Sequence, residues 1–332
     1  MDEILRKKIS VKNIVLTLAL LTVMIAIIVK PSRYISSALE GLNVFALRVL
    51  PALFPFIFLT RILTNIGSAE SIGSMLARPM RMLYHAPAIS GYIMFMSLIS
   101  GYPVGAKLIA DYMDEGVLTR DDAMRIMSYT SVSGPLFVIG TVGTSMLGSP
   151  THGYIILAST IIGAIFNGLV YRGKKVKQSE AKTMFRPLNT NNSLNTAINS
   201  SVETVLSIGG FIVIFYIIAD VIVDIGIVNM ITKLLEKACF PIGIDSMFYN
   251  GIVLSTIEMT KGISIIAGSS QIMAKIPIIS GIIAFGGASI MLQSMCFLTP
   301  KKIKVSYYLK TKLTQCIITI IVSILLTHIF LT

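Results

Sequence analysis

The run Ser100-Gly101-Tyr102-Pro103-Val104-Gly105-Ala106-Lys107 puts two glycines, a proline and a lysine inside an apolar region. The apolar flanks indicate a membrane, yet no continuous helix can pass through Gly-Tyr-Pro-Val-Gly. Proline removes a backbone donor and clashes with the preceding turn, and glycine adds a further cost to helix. Within lipid the freed backbone groups must be met by protein, water or a ligand. A broken helix carrying a cation is therefore a candidate site, and the rest of the chain decides what it belongs to.

The whole sequence supports the membrane reading. Of 332 residues, 54% are hydrophobic and 13% charged, with a mean hydropathy of +0.80, whereas a soluble domain carries about 25% charged residues. An all-α polytopic membrane protein, and hence the lipid bilayer as a partner, follows. The net charge of +12 lies mainly in short stretches beside apolar spans, as in cytoplasmic loops, so nucleic acid is not an expected partner. Cys239, Cys296 and Cys316 have no metal-ligand spacing, and His85, His152 and His328 are scattered. No metal site is expected.

Outward from the opening run, Ala88–Ser100 and Val104–Tyr112 are each about 14–20 Å long as helices, half a bilayer, which predicts a re-entrant hairpin. Upstream lie a basic start (Met1–Lys12), an uncleaved first span (Ile14–Val29), an amphipathic lead-in (Tyr34–Leu50) and a proline-kinked span through Pro51 and Pro55. Gly67–Tyr84 is predicted to be interfacial, with Ile72, Met75, Leu76, Met80 and Leu83 as its apolar face. Downstream, an acidic turn ends with Thr119 as a helix cap. A span from Ala123 to Leu147 is broken at Ser131-Val132-Ser133-Gly134-Pro135, and an unbroken span covers Tyr154–Tyr171.

After the basic stretch Arg172–Arg186 and a polar connector or surface helix, Asn189–Ser201, the order repeats. It runs span (Val202–Val223), amphipathic helix (Ile227–Phe240), two short apolar pieces around Glu258-Met259-Thr260-Lys261-Gly262, a span broken at Phe285–Ser289, and a final span from about Leu313. Each half reads span, interfacial helix, re-entrant hairpin, broken span, span, giving about seven full spans and two hairpins. The segments are residues 1–33, 34–171, 172–201 and 202–332. The tips align without gaps over Gly101–Ile109 and Glu258–Ile266, matching Gly105 with Gly262. Three crossings per unit make the repeat inverted, which places Met1–Lys12, Arg172–Arg186 and Lys301–Lys312 together on the cytoplasmic side.

Inverted repeats with paired broken helices are the physical signature of secondary transporters. Half-helix N-termini suit a carboxylate or phosphate, and the opposing carbonyls suit a cation. The expected substrate site draws on Ser100, Gly101, Tyr102, Gly105, Lys107, Ser133, Gly134, Thr260, Lys261, Gly262, Gly287 and Ser289. Lys107 is read as an anion ligand, against a pair with Asp111 or snorkelling to the interface. For Lys261 the same role competes with an ion pair to Glu258. Glu258 is the candidate for coupling to a proton or cation of unknown identity, against a structural role. Ser133 and Ser289 either donate to substrate or bond back to their own helices. The glycines serve backbone geometry more than contact.

No zinc helix, nucleophile elbow or phosphate-binding loop is present, so no enzyme and no cofactor are expected. A membrane anchor without transport is a further reading. It has no need of polar tips at membrane depth, so the broken hairpins count against it.

Ser97 to Lys107, with Ser133-Gly-Pro-Leu-Phe-Val-Ile-Gly140, resembles the sporulation integral membrane protein family of YlbJ type, also called SpoVV. The resemblance runs from about Ala38 to the C-terminus. That family belongs to the nucleoside-recognition Gate group, similar in architecture to concentrative nucleoside transporters. The resemblance implies an endospore-forming bacterium and carriage of dipicolinate, a small organic anion, from the mother cell across the outer forespore membrane. A nucleoside is the alternative substrate. Similar transporters are often trimers, so a homo-oligomer is a further expectation.

Overall fold

A computed structural model describes residues 11–173, 193–239 and 245–331, and among these residues every regular element is helical. The basic start before Val11 and most of Arg172–Arg186 lie outside the described residues.

The first half opens with α1 (Val11–Val29). Pro31, at the first turn of α2 (Pro31–Val44), starts a helix that continues through a π turn, Phe45–Val49, into α3 (Leu50–Asn65). The amphipathic lead-in is thus part of the span itself, 35 residues in all. Pro51 and Pro55 lack the N–H groups that would reach back four residues, and the π turn sits directly ahead of them.

Next come α4 (Ser68–Pro79), its π extension Met80–Tyr84, and the hairpin of α5 (Ile89–Ser100) and α6 (Val104–Asp114). The helix at 68–84 makes an angle of 97° with α5, so it lies across the hairpin arm. Its buried face differs from the expected one. Ala69, Gly73, Ala77 and Met80 are buried, while Met75 and Leu83 point outward. Small residues let α4 approach α5 closely, with Gly73 beside the Ala88 carbonyl, while Ile72 and Leu76 pack against the core at their side.

The first broken span is α7 (Arg120–Thr130) and a π-helix, Leu136–Met146. Thr119 caps α7 as expected, in a reciprocal capping box with Asp122. The helix α8 (Pro150–Val170) closes the half.

The second half is α9 (Ser193–Asp224), α10 (Ile227–Cys239), the hairpin α11 (Ser246–Ile257) and α12 (Met259–Ala267), the broken span α13 (Ile272–Phe285) and α14 (Gly287–Leu298), and α15 (Val305–Leu331). The order of elements recurs. Three boundaries need correction. From Ser193 onward the supposed connector forms the first turns of α9. The second hairpin breaks at Glu258 alone, so Thr260, Lys261 and Gly262 sit inside α12. The last helix begins before Lys310 and Lys312, which therefore belong to α15 and not to a basic loop.

Five helical stretches are long and apolar enough to cross a membrane, and the bent 68–84/α5 pair would make a sixth. The expected seven crossings also include the shorter apolar helices at 13–29 and 136–146. The protein is an integral membrane protein. In its interior α8, α13 and α15 pack together, α2 lies on α9, and the halves interlock where α6 meets α14 and α12 meets the π-helix.

Candidate substrate site at four helix breaks

In each half the break of the hairpin is pressed against the break of the long span. At the first crossing α5 ends at Ser100, whose hydroxyl bonds Thr60 of α3 at 2.8 Å. Gly101 follows with φ +79° and ψ −165°, then the cis bond Tyr102–Pro103. A Cβ on Gly101 would overlap the backbone of Gly134. Gly105 lies where a Cβ would come 2.5 Å from Ser97 Oγ and 2.8 Å from the Thr130 carbonyl.

The second crossing is built likewise. Gly287, with φ +71°, faces the end of α11, where a Cβ would sit 2.5 Å from the Ser255 carbonyl. Gly262 is wedged against Ser255 and the Gly251 carbonyl. The glycine shared by both hairpin arms, Gly105 with Gly262, thus marks a close approach in each half. Glu258 caps α12: its Oε2 accepts from the Lys261 backbone N–H at 2.9 Å and from the Thr260 hydroxyl at 2.6 Å. Such a cap stabilises a helix by about 1 kcal/mol. Tyr216 of α9 bonds Thr260 in turn, at 3.0 Å.

Between the crossings lies a cavity of about 50 Å³. Tyr102, Ser133 and Gly134 line it from the first half, Glu258, Met259 and Thr260 from the second hairpin, and Ile290 and Gln293 from α14. Val49, Leu53, Phe137, Ile208 and Ile212 supply an apolar wall. A mostly apolar hollow with a few convergent polar groups is the usual form of a small-molecule site. Among the described residues its lining carboxylate is Glu258, 2% exposed. Ser289, also buried, accepts from Gln293 Nε2 at 3.3 Å, within its own helix.

The two hairpin lysines do not line this cavity. Lys107 Nζ is 3.6 Å from Asp111, and Arg61 of α3 reaches the same carboxylate at 3.0 Å. Lys107 and Arg61 border a smaller hollow with Thr60 and Thr204. Lys261 pairs with Asp220 of α9 at 2.6 Å and lies over the Tyr216 ring. The alternative of an ion pair between Lys261 and Glu258 is corrected by this geometry, since Glu258 holds the Lys261 backbone and Asp220 holds its ammonium.

Comparison with known proteins gives an informative match. The sporulation integral membrane protein YlbJ of Bacillus subtilis (strain 168) is 25% identical over 311 residues, covering 87% of this chain and 76% of that protein. This chain is a homologue of YlbJ-type proteins. No family model matches, and no solved structure matches.

Sequence reading missed the most buried cation among the described residues. Lys312 of α15, 1% exposed, donates to Tyr102 Oη at 2.5 Å, the Ser131 carbonyl at 2.8 Å and Gln315 Oε1 at 2.8 Å. Tyr102 and Gln315 donate to the same Ser131 carbonyl, at 2.9 and 3.2 Å. A signal was present in the sequence. Tyr308, Thr311, Gln315, Thr319, Ser323 and Thr327 form a polar stripe at helical spacing within an apolar run, and all are buried. Arg61 and Asp220 carried no such local signal, because their partners lie about 40 to 50 residues away in sequence.

Proposed function

We propose that this protein is a secondary transporter or facilitator of a small organic anion, dipicolinate, acting in sporulation at the outer forespore membrane with its N-terminus in the cytoplasm. The observation that carries the transport reading is the convergence of helix breaks from both halves on one cavity that holds a buried carboxylate. An anchor has no use for such a hollow. The substrate comes from the family resemblance, and the setting in sporulation from the name of the relative.

In this reading the dicarboxylate substrate is met by N–H groups at the half-helix start after Gly134 and by the hydroxyl of Ser133, both on the cavity wall. Lys261 is offset by Asp220, while Lys107 and Arg61 share the one carboxylate of Asp111, which leaves a net positive charge beside the first hairpin. Glu258 takes up a proton together with the anion, since two carboxylates and a third cannot share a dry hollow without it.

A second reading has its own support. The charged group that lines the cavity is an acid, accompanied by Thr260 and Gln293, which suits a neutral hydrogen-bonding solute such as a nucleoside. Calorimetric titration of the purified protein with dipicolinate and with nucleosides separates the two. Dipicolinate binding that strengthens as pH falls is expected. Nucleoside binding with no dipicolinate binding would reverse the assignment. A cysteine at Ser133 that never reacts with aqueous thiol reagents would favour the anchor.

A further inference from the structure

Among the described residues none of the ion pairs includes Lys312. Its ammonium has three hydrogens and three neutral acceptors, each within 2.8 Å. The acceptors come from separate elements: the hairpin tip (Tyr102), the break of the first long span (Ser131) and α15 itself (Gln315). Two further carbonyls, of Ile283 and Ala284 at the end of α13, lie 3.5 and 3.4 Å from Tyr102 Oη. Lys275 offers a useful contrast. It also donates to carbonyls, those of Ala267 and Ser269, but these belong to one helix end beside its own helix, an ordinary cap. Lys312 instead ties together elements of both halves, at the Ser131 carbonyl that Tyr102 and Gln315 also reach.

Oxygen atoms converging in a dry interior at a helix break form the environment in which transporters hold a small cation. We propose that the oxygens of Tyr102, Ser131 and Gln315 form a monovalent-cation site that the chain fills with its own ammonium. The ammonium is the pin that holds the first hairpin tip against the broken span. The chemical class the site accepts, once the lysine arm is removed, is an alkali ion or a small primary ammonium ion. This deepens the transport reading and rests on it, because a pin at the hairpin tip sits where a coupling cation would act.

The test uses the purified full-length protein in detergent. Thermal midpoints of wild type and Lys312→Ala are measured in sodium, potassium, ethylammonium and choline chlorides at equal ionic strength. The variant is expected to gain about 3–5 °C in sodium or ethylammonium relative to choline, saturably, with wild type unchanged. A folded variant with the same midpoint in all four salts would overturn the proposal. If Lys312→Ala yields no folded protein in any salt, Lys312→Met decides. Methionine fills the arm without charge or donors, so a midpoint well below wild type supports the pin, and one equal to wild type rejects it. None of these readouts involves transport. Failure to move dipicolinate with an intact sodium response would count against the transport reading alone.

Discussion

At the first crossing the group left without a helical partner is a carbonyl, that of Ser131, and the chain meets it with three donors including an ammonium. At the second crossing it is an N–H, that of Lys261, and the chain meets it with a carboxylate. The same reversal appears where each hairpin leans on the leading span of its half. In the first half α3 provides the cation, Arg61, and the hairpin the anion, Asp111. In the second half α9 provides the anion, Asp220, and the hairpin the cation, Lys261. Two units with one order of elements thus carry opposite charges at matching joints. At the breaks themselves the exposed helix end sets the sign, a cation at the Ser131 carbonyl and a carboxylate at the Lys261 N–H.

That comparison breaks most visibly at the glycines. Gly101→Ala and Gly287→Ala each combine a left-handed backbone with overlap onto the facing break, and each is expected to cost about 3–5 kcal/mol. Size-exclusion profiles and thermal unfolding in detergent would register the loss. Gly210, where an added Cβ would meet nothing within 4 Å, should tolerate alanine with little change.

A smaller effect separates charge from capping at Glu258. Glu258→Ala removes the cap from α12 and is expected to cost about 1–2 kcal/mol. Glu258→Gln keeps an acceptor, so it should fold close to wild type while losing the pH dependence of substrate binding. If Glu258→Gln keeps that dependence, the acid is structural. Of similar size is the difference between the two ion pairs. Asp220→Asn strands a largely buried ammonium, for about 1–3 kcal/mol. The Asp111 side chain is 33% exposed, and Asp111→Asn should cost about 0–1 kcal/mol. Equal costs in urea or thermal unfolding would remove the contrast.

Much of the fold is legible because helix breaks in lipid announce themselves. Gly101 to Pro103, Ser131 to Pro135 and Gly286 are breaks in the structure as in the sequence, and Thr119 starts α7 as its spacing with Asp122 requires. The break at Glu258 looks wider in the sequence than it is, because Thr260 to Gly262 are polar or small and yet helical. Gly262 is there for a contact between arms, not to end a helix. Lys312 escapes a sequence reading for a physical reason as well. A cluster of lysines beside an apolar run reads as a cytoplasmic loop, and only the helical register of α15 shows that one of them turns inward. Local pattern finds Lys107 and Lys261, but the tie of Lys261 to Asp220 is a matter of packing between helices.

Uptake of labelled dipicolinate into proteoliposomes bearing the purified protein, against empty liposomes and against Glu258→Gln, tests the transport reading most directly. Saturable uptake that depends on the protein and falls in Glu258→Gln is the expected result. Uptake no faster than in empty liposomes, from protein shown to be folded, would contradict it.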